Sequence, residues 1–404
     1  MIPFSPPRID QKIIDEVVAA LQSGWITTGP RTKKFEKQIA EYTGVEKVLC
    51  LNSATAGLEI MLRWFGVKEG DEVILPAYTY SATANVVIHC GAKPVLVDVN
   101  ANDFNISLQR IADAINLKTK VIMPVDIGGL PCDYESIMNL AKGSSALFKA
   151  SNDVQQKLGR ILVLSDTAHS IGAFYKGKKV GGDVDASVFS FHAVKNLTTA
   201  EGGAVCLNLP APLNNEEIYQ ALNIKALHGQ NKDALAKMQK GSWEYDVVEA
   251  GYKWNMPDIL AAIGLVELER YDSETLPRRK EIFDQYLVNF SNKDWAQLPV
   301  YKTDNSESSY HLFLLRIKNI SEQQRNKIIQ LISEKDVSVN VHFKPLPLLS
   351  FYKSLGYKME DYPIAFDNYS REISLPVYFN LTGEQVDFVS NTVIESVEKV
   401  LAEK

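Results

Sequence analysis

The chain has 404 residues, 46% of them apolar and 23% charged, with a formal net charge of −6. That length exceeds a usual single core and predicts a large domain plus a smaller one. An acidic balance lacks the basic surface that a phosphate backbone requires, so nucleic acid is not an expected partner. The four cysteines, Cys50, Cys90, Cys132 and Cys206, show no CxxC spacing and sit in or beside apolar runs, as reduced core thiols do. The N-terminus has neither the charged start nor the long apolar core of a signal peptide. No apolar run reaches membrane-spanning length. A cytoplasmic protein with no membrane partner is expected.

In chain order, Asp10 is placed to cap a helix whose apolar face is Ile13, Ile14, Val17, Val18 and Leu21. After the turn Thr27-Thr28-Gly29-Pro30, a second helical face follows at Phe35, Ile39 and Tyr42. Lys47–Leu51 reads as a buried strand that runs into Asn52-Ser53-Ala54-Thr55 and an apolar helix. Strands are predicted at Glu72–Leu75, Pro94–Asp98, Val121–Val125, Ile161–Ser165, Ala186–Phe191 and Ala204–Asn208, and helices at Ser81–His89, Leu108–Ile115 and Tyr134–Ala141. This alternation predicts an α/β fold around a mostly parallel sheet. The last two strands leave no room for a helix between them and are expected to pair as a hairpin-like unit. The polar, Ser/Lys-rich segment Lys142–Arg160 reads as a surface insertion. The texture changes after Asp272. A helix at Arg278–Leu287, strands around His311–Ile317 and Ser338–Val341, and a final helix from Glu384 predict a smaller C-terminal α/β domain, 273–404, after a large domain, 1–272.

Three features carry chemistry. Of the six histidines, His89 ends an apolar helix and reads as structural, while His169, His192, His228, His311 and His342 lie at element ends. None has HExxH or another metal-ligand spacing, so no metal site is expected. Asp166 ends the apolar run Ile161–Leu164, where α/β proteins open their ligand crevice. A carboxylate there serves either as a helix cap or as the partner of a positive group. Finally, the strand Ser187–Phe191 leads through His192-Ala193-Val194 to Lys195, just before Gly202-Gly203. A lysine held between two apolar strands has a depressed amine pKa and is a candidate Schiff-base nucleophile.

The run Ser190-Phe191-His192-Ala193-Val194-Lys195-Asn196 through Gly203 resembles the lysine motif of the DegT/DnrJ/EryC1/StrS family of sugar aminotransferases, pyridoxal-phosphate enzymes of fold type I. The resemblance extends along nearly the whole chain: Trp25–Pro30, Asn52–Leu58, Pro76–Tyr80, Asp166–His169, Gly251–Met256 and Leu375-Pro376 recur in the family's order. It implies that Lys195 bonds the cofactor aldehyde and later moves the proton, and that Asp166 pairs with the pyridine nitrogen. It implies phosphate contacts from Ala54, Thr55 and Ser190, ring stacking by Tyr80, and His169 near the phenolic oxygen.

Two positions depart from the commonest family pattern. Lys253 stands where many members have Asn, so either Lys253 or Asn255 would reach the phosphate of the neighbouring subunit's cofactor. Pro347 stands where a second His often occurs, while His342 keeps its place as a sugar-nucleotide contact. The resemblance also implies a homodimer with shared active sites, to which Thr28 and Lys253 would contribute. A basic cleft for a diphosphate is expected, with Lys344, Lys253 and Arg31 as candidates. The expected reaction moves an amino group from an amino acid, glutamate by family habit, to a nucleotide-linked keto sugar at C4. Alternatives are a cofactor- or sugar-binding regulatory homologue, or a sugar dehydratase on the same fold, whose members replace the lysine with histidine.

Overall fold

The computed structural model describes residues 1–232 and 244–403. Its central sheet has seven strands: β1 (Lys47–Leu51), β2 (Glu72–Pro76), β3 (Lys93–Val97), β4 (Thr119–Ile122), β5 (Leu162–Asp166), then, after the two-residue strands β6 (Phe174–Tyr175) and β7 (Lys178–Lys179), β8 (Ala186–Ser190) and β9 (Gly203–Leu207). The spatial order is β1-β9-β8-β5-β4-β2-β3. Neighbours from β8 to β3 are parallel, and only β9 runs against the rest. The α/β expectation and the hairpin-like pairing of the last two strands are thus both met, with Ala186 facing Leu207 and Ser190 facing Gly203. The strands are buried along almost their whole length because helices cover both faces, and this burial explains their continuous apolar runs.

Beyond this sheet, the helix Leu276–Phe290 leads to β10 (Ala296–Gln297), β11 (Ser306–Glu307), β12 (Phe313–Ile317) and β13 (Glu372–Leu375). β10, β12 and β13 form a second sheet, packed with the helices Glu322–Ser333 and Gly383–Ala402 around a separate apolar core. The strand expected at Ser338–Val341 does not form. A single bridge, Asn340 to Ser374, stands in its place. β11 instead joins β6 and β7. Among the described residues no helix is long and apolar enough to cross a membrane.

Two expectations need correction. In the first helix, Gln11–Gln22, Asp10 does accept from the Ile13 N–H, yet of the expected apolar face only Ile13 is buried. Ile14, Val18 and Leu21 are exposed in this chain. Lys142–Arg160 is more than a surface insertion. Gln155 is fully buried and donates to the Phe65 carbonyl at 2.9 Å, which Asn152 also reaches, and Phe148 packs on both large cores. Polar side chains are used here to terminate a buried helix, which is why composition alone suggests a surface.

The segment ends in a buried ion pair. Arg160 donates twice to Asp185, at 2.7 and 2.6 Å, and Asp185 also accepts the Val163 N–H at 2.9 Å, locking β5 to the start of β8. Removing one partner strands a buried charge. Asp185→Ala is expected to lower stability by about 3 kcal/mol, seen as an earlier urea midpoint at unchanged slope; an unchanged midpoint would show that the pair contributes nothing.

Candidate active site

Because β1 and β8 both run against β9, six of the seven strands point the same way. Their carboxyl ends share one rim, the position where open α/β sheets bind ligands. A cavity of about 490 Å³ opens there, lined by Lys195, Asp166, His169, Ser190, Ala54, Thr55, Tyr80 and His342. Eight of the eleven predicted site residues therefore meet in one place.

Asp166 is the last residue of β5, and turns, not a helix, follow it, so the capping alternative falls. Its carboxylate accepts from the Thr83 hydroxyl at 2.9 Å and from the Ala168 N–H at 3.2 Å. Burial pushes its pKa above the usual range, while Thr83, Ala168 and the Lys195 ammonium pull it back. Lys195 lies in the connection between β8 and β9, which is tightened by Phe191 N–H to the Gly202 carbonyl and by Thr199 N–H to the Phe191 carbonyl, both at 2.9 Å. Burial lowers the Lys195 amine to about 8, against the opposing pull of Asp166.

The helix Ala54–Phe65 starts at the same rim. Ser53 caps it by accepting from the Ala56 N–H, and the N–H groups of Ala54 and Thr55 precede the first intrahelical bond. Gly203 permits this placement. A Cβ there would stand 2.4 Å from the Ala54 nitrogen, so β9 passes beneath the helix start only because the residue has no side chain. Ser190 is buried on the facing strand end. A helix N-terminus, a hydroxyl and a glycine cradle together fit a phosphate. The carboxylate of Asp166 and the amine of Lys195 fit the ring nitrogen and aldehyde of a pyridoxal group.

His169 stacks on Phe343, with centroids 5.7 Å apart, and lies 4.4 Å from the His311 ring. Burial holds both histidines well below their usual pKa, helped by the positive Lys195. The Gly128 N–H donates to His169 Nδ1 at 3.3 Å. Tyr80 is 64% exposed at the cavity mouth, 6.0 Å from the Phe343 ring, so it is not a core aromatic.

Thr28, Lys253 and Asn255 gather elsewhere. Asn255 donates to the Thr28 hydroxyl at 2.6 Å, which in turn donates to the Met256 carbonyl, and the exposed Lys253 borders this cluster. None of the three lines this chain's cavity. The expected basic candidates do not line this cavity: Lys195 is the only lysine or arginine among its described lining residues, while Arg31 bonds Glu16 at 2.9 Å and Lys344 is exposed. Sequence reasoning missed Thr83, Phe343 and Phe4 in the wall or just behind it. Thr83 had one signal, its position in the first turn of the helix Ser81–His89, four residues after Thr79, to which it is bonded at 2.9 Å. Phe343 had its place beside His342 in the motif Val341–Pro347, whereas Phe4 had none, since long-range packing alone brings it in.

The sheet and this rim are those of an α/β ligand-binding protein, and the comparisons with known proteins give its class. The model of the DegT/DnrJ/EryC1/StrS aminotransferase family matches residues 7–394, and the chain belongs to that family. It is 47% identical to a solved structure of the putative sugar aminotransferase Spr1654 from Streptococcus pneumoniae in its PMP form, with a TM-score of 0.96 over 99% of this chain and 100% of that one. The same protein has also been solved in a PLP form. The spore coat polysaccharide biosynthesis protein SpsC of Bacillus subtilis is 35% identical over 99% of this chain and 97% of its own length. Helicobacter pylori PseC, an aminotransferase involved in pseudoaminic acid biosynthesis, is 29% identical with a TM-score of 0.87 over 98% and 99%.

The neutral amine is the nucleophilic form, and its fraction at Lys195 rises as pH passes about 8. The rate at which cofactor-free protein captures pyridoxal phosphate should therefore climb between mildly acidic and alkaline pH with an inflection near that value, as read by stopped-flow absorbance. A rate that does not vary with pH would remove the depressed amine from the account.

Proposed function

We propose that this chain is a pyridoxal-phosphate-dependent aminotransferase that moves an amino group from an amino acid, glutamate first, to C4 of a nucleotide-linked keto sugar. The observation that carries this reading is the convergence of Lys195, Asp166 and the free N–H groups of Ala54 and Thr55 on one cavity. The sugar is supported by the polysaccharide and sugar contexts named for SpsC, Spr1654 and PseC. When bound, the cofactor supplies an electron sink for the carbanion formed at the substrate carbon.

Each residue then has a physical task. Asp166, buried and costly as a lone anion, gains a cationic partner in the pyridine nitrogen. Lys195 would hold the cofactor covalently, and as a free amine it would carry the proton between carbons. Ala54, Thr55 and Ser190 hold the phosphate, Tyr80 covers the ring from the mouth, and His169 meets the phenolic oxygen. His342 contacts the sugar substrate.

The remaining site residues belong in our reading to a homodimer of this cytoplasmic enzyme, built from a large domain, 1–272, and a small one, 273–404. Thr28 with Lys253 or Asn255 would complete the site of the neighbouring copy, where a cation is needed for an anionic substrate. The exposed apolar side chains Ile14, Val18 and Leu21 support a second copy as their cover.

Addition of glutamate to the cofactor-loaded protein should bleach the visible band and produce the amine form of the cofactor. A band indifferent to glutamate and to every other amino donor would leave a binding homologue in place of an enzyme. Lys195→Ala should lose about 10²- to 10⁴-fold or more in turnover, measured as keto acid released. Substantial turnover in that variant would refute the mechanism. Mixing inactive Lys195→Ala subunits with a site-deficient Lys253→Ala/Asn255→Ala double variant should restore activity if sites are shared. No recovery from a mixture shown to exchange subunits would confine each site to one chain.

A further inference from the structure

Behind the cavity wall, β13 carries two side chains that the aminotransferase reading leaves without a task. Glu372 is fully buried, and two donors converge on its carboxylate. The His342 backbone N–H reaches Oε2 at 3.0 Å, and the Ser374 hydroxyl reaches Oε1. Ser374 Oγ also lies 2.8 Å from His342 Nδ1. A chain of polar groups thus runs from the core to His342, which forms part of the cavity wall; with Nδ1 on Ser374, Nε2 is the ring nitrogen that remains. The imidazole is held in place: Phe4 stacks on it at 5.3 Å and 23°, and Tyr78 donates to the His342 carbonyl at 2.6 Å.

A hydroxyl both donates and accepts, so a serine between a carboxyl and an imidazole transmits a choice. An ionised Glu372 can only accept. Ser374 then donates to it and accepts from Nδ1–H, and Nε2 is a bare acceptor. A neutral Glu372 carries its proton on Oε1, because Oε2 faces the backbone N–H. It donates to Ser374, Ser374 donates to Nδ1, and the ring proton sits on Nε2.

We propose that Glu372 is a positioning residue which, through Ser374, decides which nitrogen of His342 carries the proton, and so whether the cavity meets a donor or an acceptor at that wall. Burial pushes the Glu372 carboxyl up to about 8, opposed by Ser374, the His342 N–H, Arg325 and Arg316. Burial and the Lys195 charge hold His342 down to about 3, so the ring stays neutral throughout. Of the other titratable neighbours, burial keeps His169 and His311 neutral and Tyr78 a phenol, while the free Lys195 amine, itself lowered to about 8, would be bonded to the cofactor in the loaded protein and so would not titrate there as a free amine. Below about pH 8 the wall therefore offers Nε2–H, suited to a keto or phosphate oxygen. Above it the wall offers a bare nitrogen, suited to a hydroxyl. The match to a keto group rests on the sugar aminotransferase reading, whereas the protonation pattern does not.

The test is ¹⁵N NMR of the histidine rings in the cofactor-loaded protein from about pH 6 to about pH 10, with the His342 signals identified by their loss in His342→Gln. The expected result is conversion from the Nε2–H to the Nδ1–H form near pH 8, with no imidazolium. Ser374→Thr, which retains the hydroxyl, should keep the conversion. Ser374→Ala, which leaves no unpaired buried charge below that pH, should abolish it, and Glu372→Gln should freeze one form at every pH. A wild-type tautomer that ignores pH, or a conversion that survives in Ser374→Ala, overturns the proposal. Failure of glutamate to bleach the cofactor band would instead remove the aminotransferase reading and leave the proton assignment standing.

Discussion

The buried opposition of Lys195 and Asp166 is the constraint around which the rest of the site is arranged. Taken out of water, each group tends toward its neutral form, and each holds the other back from it. The balance depends on position. Asp166 is fixed because it ends a fully buried strand and receives the Thr83 hydroxyl from the helix Ser81–His89. Lys195 is fixed because its loop is pinned at both ends by backbone hydrogen bonds to β8 and β9. A solvated lysine at the end of a single strand would have neither the burial nor the geometry.

The one reversed strand serves that arrangement. β9 returns antiparallel between β8 and β1, so the chain leaves the rim at Ser190, turns through Lys195 and re-enters the sheet at Gly203. Gly203 then meets the start of the helix Ala54–Phe65, which brings two unpaired backbone N–H groups to the same rim as the lysine. The anion-binding end of a helix and the reactive amine are neighbours because one residue lacks a Cβ. The same proximity supports our placing of a phosphate there.

Among the described residues, the cavity has one lysine and no arginine in its lining. A cavity with a single lining amine is poorly equipped for a substrate bearing several negative charges, and the polar cluster of Thr28, Lys253 and Asn255 lies outside it. An apolar stripe on the first helix stays exposed in the same chain. A second copy would cover the exposed apolar surface and would bring a cation to the rim, and this is the physical basis for our dimer reading. On the opposite wall the small sheet contributes more than support, since β13 places Glu372 and Ser374 behind His342.

The order of elements, the pairing of the last two sheet strands and the positions of Asp166, at a strand end, and Lys195, between the last two strands, were legible in the amino-acid sequence, whereas Ala54, Thr55 and Ser190 were singled out only through the family resemblance. The signals of the elements and of Lys195 are local: apolar runs of strand length and a lysine before a glycine pair. Local pattern misled where a polar residue was buried by distant contacts, as at Gln155, and where an apolar face met no partner within its own chain, as at Ile14 and Val18. The strand expected at Ser338–Val341 failed because a lone bridge to Ser374 was all that β13 offered it. Only the tertiary structure decided that Thr83 supports Asp166, that Phe4 and Phe343 wall the cavity, and that Glu372 stands behind His342. Those contacts join residues far apart in the chain, and no periodicity or spacing encodes them. The sequence by itself determined the order of the elements and which residues lie at the strand ends; long-range packing decided which neighbours surround them.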